Sequence, residues 1–154
     1  MRTKIFCSLV IAVLISACSV EKFIPEDEYL YEGADVTVTS DTVVEHKPEL
    51  ETELETVLRP EPNKKFLGMR PGLYFYYKNQ RENPGFLNKF FYKKMGEEPV
   101  YLSNVEPYEV EKILRNRLEN NGFFYSTLGS EIEVDSTKHT ARVAYAAKVL
   151  DPYK

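Results

Sequence analysis

The feature that most constrains this chain is a change of hydrophobic period at Gly122. Before Gly122, apolar residues recur with the spacing of one helix face: Val110, Ile113, Leu114 and Leu118. After it, apolar and small side chains occupy alternate positions, which is the spacing of a half-buried strand. A glycine can adopt the left-handed conformation that ends a helix. The sequence therefore predicts a helix over 107–121, a stop at Gly122 and then a strand.

A second strand follows a polar turn at 135–138. Its apolar residues lie at odd positions from Ala141 to Val149, whereas those of the preceding strand lie at even positions from 124 to 134. Together the two strands form a β-hairpin with one buried face. Because a two-stranded hairpin is marginal alone, we expect the helix to cover that face and a further strand to join the sheet.

The amino-terminal half supplies the missing strand and a second helix. Residues 34–39 alternate as a strand does, and residues 48–58 carry a helical stripe that Pro60 and Pro62 end. The order is β-α-(insertion)-α-β-β, and hydrophobic residues make up 43% of the chain, which is enough for one core. We predict an α+β domain over 34–150, with two helices on one face of a three-stranded mixed sheet.

The first seventeen residues have the pattern of a secretory signal. Arg2 and Lys4 precede an apolar stretch at 5–15, which is too short to span a bilayer because that needs about 20 residues. Residues 14–18 (Leu-Ile-Ser-Ala-Cys) resemble the end of a bacterial lipoprotein signal. That resemblance implies cleavage before Cys18 and lipid attachment to Cys18; the alternative is an ordinary signal with an incidental cysteine.

Lipid attachment would place the domain close to a membrane. Residues 18–33 are interpreted as a lipidated tether. The only other cysteine, Cys7, lies in the segment to be removed, so the mature chain would hold no free thiol. Ser19, rather than Asp, follows Cys18, and by analogy with known sorting rules this favours the outer membrane, with the domain facing the periplasm.

An insertion at about 60–102 has a composition of its own. Nine of the twenty aromatic residues lie between Phe66 and Tyr92, and residues 63–95 hold eight basic side chains and one acidic one. Short helices are predicted at 72–79 and 86–95. Such a mixture suits a membrane surface or a partner protein; the alternative is that the rings pack on the outside of the domain or against a following domain. The candidate contacts are Lys64, Lys65, Tyr74, Tyr76, Tyr77, Lys89, Lys93 and Lys94.

Catalytic chemistry finds little support in the residues. His46 and His139 fall in predicted turns or strand ends among polar neighbours, and no phosphate-binding loop, metal-ligand spacing or nucleophile motif occurs. We therefore predict no enzyme, no catalytic or metal site and no cofactor. Nucleic acid is not an expected partner of an exported chain.

The order of elements resembles that of POTRA domains, the periplasmic repeats of the BamA/TamA outer-membrane assembly family. Residues 118–125 (Leu-Glu-Asn-Asn-Gly-Phe-Phe-Tyr) resemble the end of a POTRA helix. Residues 59–68, 74–77 and 96–100 resemble the lipidated TamA-like branch, TamL, whose first POTRA domain carries a similar aromatic insertion. The segment 151–154, which contains Asp-Pro-Tyr, resembles the linker into a next POTRA domain, with Asp151 where a small residue is more usual.

The resemblance implies a role in outer-membrane protein assembly or translocation. Members of the family continue into further POTRA domains and a β-barrel, so the sequence is expected to be an amino-terminal fragment. The implied partners are unfolded outer-membrane proteins or periplasmic assembly proteins. The alternative function is a free-standing envelope lipoprotein that binds a glycan or another ligand through Tyr74, Tyr76 and Tyr77.

In the POTRA arrangement the last strand is central and the preceding strand lies on an edge. An edge strand leaves backbone groups free to pair with an incoming extended chain, unless the insertion or a neighbouring domain covers it. The predicted binding residues are Ser126, Thr127, Leu128, Gly129, Ser130, Glu131, Ile132, Glu133 and Val134.

Overall fold

The computed structural model describes residues 20–150. The predicted signal peptide, Cys18 and the predicted linker at 151–154 lie outside the described residues. The chain divides into two compact units. Within the described residues, the sheet unit comprises 26–62 and 100–150, and the insertion unit comprises 20–25 and 63–99.

The elements follow the predicted order, with bounds within a few residues of those expected. They are β1 (Leu30–Ser40), α1 (Lys47–Glu55), α2 (Pro71–Asn79), α3 (Phe86–Met95), α4 (Pro107–Asn120), β2 (Ser126–Asp135) and β3 (Thr140–Val149). None of the helices in residues 20–150 has the length and apolar character needed to cross a bilayer.

The three strands form one mixed sheet in the order β1-β3-β2, so β3 is central. β1 runs parallel to β3, and β2 runs antiparallel to it. The prediction of an α+β fold with a three-stranded mixed sheet is therefore confirmed.

The core lies on one face of this sheet. Val36 pairs with Tyr145 and Val38 with Ala147, and these side chains join a single buried cluster. The same cluster contains Leu50 and Leu54 of α1, together with Val110, Leu114 and Leu118 of α4. Both helices thus pack on the same face of the sheet, and most residues on the other face are exposed.

The end of α4 fixes how the chain enters β2. Gly122 has a φ of 87°, its N–H donates to the Glu119 carbonyl (3.0 Å), and the Phe123 N–H donates to the Leu118 carbonyl (2.9 Å). This pair of bonds is a Schellman motif, which brings the residue after the glycine back onto the helix. Phe123 is consequently buried and Phe124 is exposed. The expectation that Phe124 belongs to the buried face is wrong, because the strand begins only at Ser126.

β1 is longer than predicted and contains a bulge. It begins at Leu30, inside the stretch interpreted as a tether, and its register with β3 shifts between Tyr31 and Ala34. Gly33 occupies the bulge with a φ of 114°. The extra residue places Tyr31 on the same face as Val36, so both enter the core. Without the bulge, residues 31 and 36 would face opposite sides of the sheet.

The insertion unit is built on a pair of helices. Phe75 of α2 stacks on Phe91 of α3 with ring centroids 5.0 Å apart. Gly72 allows the close approach, since a Cβ there would lie 2.8 Å from the Met95 carbonyl oxygen. Residues just after the predicted lipid site belong to this unit: Phe23 stacks on Tyr77 at 5.5 Å.

Candidate functional site: the outer edge of β2

β2 contains all nine predicted binding residues, and it lies at an edge of the sheet. It pairs with β3 on one side, in a continuous register from Ser126↔Val149 to Asp135↔Thr140. The predicted edge position of this strand is therefore confirmed. Whether its other side can pair with a new strand depends on where its backbone groups point.

One hydrogen bond reveals which backbone groups of β2 face outward. The Leu150 N–H donates to the Tyr125 carbonyl (3.3 Å), and the register places these two residues opposite each other. Opposite pairs in an antiparallel ladder alternate between bonded and non-bonded. The odd residues of β2 therefore bond to β3, and the even residues direct N–H and C=O outward. Accordingly, the Ser126 carbonyl accepts a bond from the Arg115 side chain (3.0 Å).

The pairing of β3 with β1 gives the same assignment of outward backbone groups independently. The Leu30 N–H donates to the His139 carbonyl (2.8 Å), so odd residues of β3 direct their backbone groups towards β1. Even residues of β3 must then face β2, where they pair with its odd residues. The outward set in β2 is consequently Leu128, Ser130, Ile132 and Val134.

The even side chains of β2 are less buried than the sequence pattern suggested. They point to the same face as the core residues of β3, but Ile132 and Val134 remain 47% and 46% exposed. α4 holds the strand through Arg115 at Ser126 and through Glu111, which accepts a 2.7 Å bond from the Ser130 hydroxyl. The expectation of one continuous buried face along β2 is wrong for its second half. There Ile132 and Val134 form a half-exposed apolar strip beside the edge, which we call the apolar ledge.

The hairpin turn fixes the position of this edge relative to β3. One carboxylate oxygen of Asp135 accepts bonds from the Thr137 N–H, the Thr137 hydroxyl and the Lys138 N–H. Hydrogen bonds to its carboxylate, first from Thr137 and then from Lys138, hold the pKa of Asp135 far below its usual range. The ionised carboxylate therefore stabilises the turn at neutral pH.

The central strand carries a buried tyrosine directly opposite Ser130. Tyr145 is almost fully buried, and its hydroxyl has no hydrogen-bond partner within the described part of the chain. Burial, with smaller contributions from Tyr31 and Glu111, raises the pKa of Tyr145 above its usual value. The phenol therefore stays neutral at physiological pH, and the ring packs in the core.

The predicted contacts of the insertion divide into two groups. The rings of Tyr74, Tyr76 and Tyr77 are partly buried and pack on other aromatics: Tyr76 lies 6.2 Å from Tyr92, and Tyr74 meets Phe23 edge-on at 6.4 Å. The five lysines at 64, 65, 89, 93 and 94 are exposed.

Sequence reasoning missed the exposed apolar residues of the insertion, of which Phe86, Leu87 and Phe90 lie together on α3. The signal was present in the sequence, because α3 has apolar residues on both of its faces. A short helix packed on one partner can bury only one face.

The described residues form no cluster of metal ligands. Within residues 20–150, no three His, Cys, Asp or Glu side chains come together as metal ligands. Of the two histidines, His46 is exposed, and His139 stacks on Tyr29 with ring centroids 5.9 Å apart.

Comparison with protein-family models and curated proteins gave no match.

Proposed function

We propose that this chain is a lipid-anchored, POTRA-like binding domain of an outer-membrane protein assembly or translocation factor. It faces the periplasm and binds unfolded barrel precursors or partner assembly proteins by strand addition at β2. The order of elements, the central β3 and the lipoprotein-type signal support this assignment. Cys18 carries the anchor, and further POTRA domains with a barrel complete the protein.

The observation that carries the proposal is the outer edge of β2, with which no other strand pairs in residues 20–150. Leu128, Ser130, Ile132 and Val134 direct their N–H and C=O groups outward, because only the odd residues pair with β3. Main-chain pairing is largely independent of the sequence that binds. This suits a protein that must accept many different unfolded chains.

The apolar ledge gives the edge a preference within that tolerance. Ile132 and Val134 are half exposed on the core side of the sheet, whereas Glu131 and Glu133 lie on the other side. An added strand with alternating apolar and polar residues would place its apolar side chains beside the ledge. Transmembrane barrel strands alternate in this way.

A substitution pair at Ser130 tests strand addition. Ser130→Pro removes one outward N–H, whereas Ser130→Ala keeps it and removes only the hydroxyl bond to Glu111. A synthetic barrel-strand peptide carrying a photoreactive group should crosslink to the wild type and to Ser130→Ala, and several-fold less to Ser130→Pro. Equal crosslinking by all three folded proteins would rule out this edge.

Proline at Thr127 or Glu131 does not make the same test. Those odd residues donate their N–H groups to β3, so proline there weakens the sheet itself. Loss of crosslinking would then report unfolding rather than loss of the binding edge.

The alternative of glycan binding through Tyr74, Tyr76 and Tyr77 has less support. A sugar platform needs an open ring face, and these rings pack against Phe23, Tyr92 and one another. Their arrangement favours a structural role within the insertion unit.

A further inference from the structure

The exposed side of α3 combines large apolar side chains with lysines. Phe86, Leu87 and Phe90 are 81%, 67% and 53% exposed, and they lie in the first half of the helix. Lys89, Lys93 and Lys94 are exposed beside and beyond them. The opposite side of α3 is already used, since Phe91 stacks on Phe75 and Tyr92 lies against Tyr76. The exposed side, which we call the α3 surface, is therefore not needed to hold the helix in place.

The two units of the chain carry opposite charge. In the described residues the insertion unit has nine basic and four acidic side chains, which gives +5. The sheet unit has eight basic and nineteen acidic side chains, which gives −11. An anionic surface would therefore attract the insertion unit and repel the sheet unit.

The path of the chain brings the insertion unit to the predicted lipid site. Val20, two residues after Cys18, is buried, and Phe23 is fixed between Tyr77 and the Arg81 guanidinium, which lies 5.9 Å from its ring centre. Two extended residues span about 7 Å. A lipid on Cys18 would therefore hold the insertion unit close to the bilayer surface.

We propose that the α3 surface binds the membrane interface directly, with Phe86, Leu87 and Phe90 inserted among the headgroups and the three lysines paired with anionic lipid. Aromatic and aliphatic side chains gain from leaving water at this boundary, and lysines reach back to the headgroup level. The acyl chains on a lipoprotein cysteine keep a protein at the membrane but leave its orientation free, whereas a second contact through the protein surface fixes one face against the bilayer. The α3 surface adds such a contact and orients the insertion unit at the bilayer.

A tryptophan reporter can test this contact because the chain contains no tryptophan. The probe protein is the chain from residue 18 with Cys18→Ser, so that no lipid is attached, and with Phe90→Trp. The matched control carries Tyr108→Trp, at an exposed position of the sheet unit. On mixed phosphatidylcholine–phosphatidylglycerol vesicles, emission of the reporter at position 90 should shift to the blue, and emission of the control should not. Equal shifts, or none, would overturn the proposal.

Two further variants separate the apolar contribution from the electrostatic one. Phe86→Ser/Leu87→Ser/Phe90→Ser should weaken vesicle binding by about tenfold or more. Lys89→Ala/Lys93→Ala/Lys94→Ala should weaken it by about a hundredfold on anionic vesicles, and far less on pure phosphatidylcholine. Unaltered circular dichroism spectra show that both variants fold. If neither variant changes binding, the α3 surface is not the contact.

The vesicle result is independent of the proposed strand addition. The lipid on Cys18 is absent from the test, and the peptide crosslinking experiment uses only β2. Vesicle binding without peptide crosslinking would support the membrane contact and contradict strand addition. Peptide crosslinking without vesicle binding would support strand addition and contradict the membrane contact.

Discussion

The two edges of the sheet differ in how their backbone groups are satisfied. At β1, the Tyr31 N–H donates to the Val100 carbonyl (2.8 Å), the Tyr29 carbonyl accepts from the Leu102 N–H (2.8 Å), and the Val38 N–H donates to a Glu51 carboxylate oxygen (2.8 Å). Segments of the same unit thus close this edge at both ends. At β2, by contrast, no other strand pairs with the outer side within residues 20–150, and Ile132 and Val134 in its second half remain about half exposed.

This difference shows that the fold closes one edge and leaves the other open. Unpaired strand edges invite aggregation, so proteins commonly block them. Here the hydrogen bonds that satisfy an outer edge lie mainly on β1. On β2 the charged side chains Glu131 and Glu133 point to the face of the sheet away from the core. The proposed strand addition at β2 depends on this contrast between the two edges.

The largest expected effect comes from proline at an inward position of the open edge. Glu131→Pro removes an N–H that bonds to β3 and should lower the free energy of unfolding by on the order of 3 kcal/mol. Ser130→Pro, one residue away, should cost only about 1 kcal/mol, which is typical of point substitutions. Urea unfolding measures both. Similar losses would mean that the inward and outward positions are assigned wrongly.

The next effect comes from opening the closed edge. Glu51→Ala removes the acceptor of the Val38 N–H, and the free energy of unfolding should fall by about 1–3 kcal/mol. Glu51→Gln keeps an acceptor oxygen and should lose much less. Ser130→Ala is the matched change at the open edge, and we expect it to stay within about 0.5 kcal/mol of the wild type. Equal losses at the two edges would remove the contrast between them.

A smaller effect is expected in the strand that the two edges share. Tyr145→Phe removes a buried hydroxyl that has no partner among residues 20–150. The change should leave the melting temperature unchanged or raise it slightly, because no hydrogen bond is lost and a desolvated polar group is removed. A clear drop in melting temperature would show that the hydroxyl has a partner in solution.

The smallest effect is the pH dependence of the turn that joins the open edge to β3. Because the pKa of Asp135 is depressed in the folded chain, its stabilisation is complete above the pKa of an unfolded aspartate, about 3.9. It is lost as the pH falls below that value through the folded pKa. Asp135→Asn keeps an acceptor oxygen and removes the titration. Melting curves recorded from pH 7 downward should show the wild type losing stability relative to Asp135→Asn below about pH 4. Parallel curves would contradict this account.

Much of the fold could be predicted from periodicity alone. The change of period at Gly122 correctly located the end of α4, and the alternating patterns correctly located the hairpin. The bulge at Gly33 was missed because it breaks the alternation on which strand prediction depends. The exchange of Phe123 for Phe124 in the core was missed as well, because it follows from the hydrogen bonds that end α4 rather than from side-chain spacing.

The candidate site was predictable only in outline. The nine residues of β2 could be named from the sequence, but the outward and inward backbone groups could not. That assignment depends on the register with β3, which only a three-dimensional arrangement supplies. In the insertion, the cluster of tyrosines at 74, 76 and 77 predicted a binding surface, whereas the structure packs their rings on other aromatics. The packing of Phe23 on Tyr77, between residues far apart in the chain, could not be inferred from local pattern.

Amide hydrogen exchange along β2, measured by NMR on the unlipidated chain, is the most direct test of the open edge. An open edge at β2 should give alternating exchange rates: the amides of Leu128, Ser130 and Ile132 exchange quickly in the free protein, and those of Thr127, Gly129 and Glu131 exchange slowly. A barrel-strand peptide should slow exchange of the first set. Uniform protection along the strand, or a peptide that leaves the first set unprotected, would contradict an open edge used for binding.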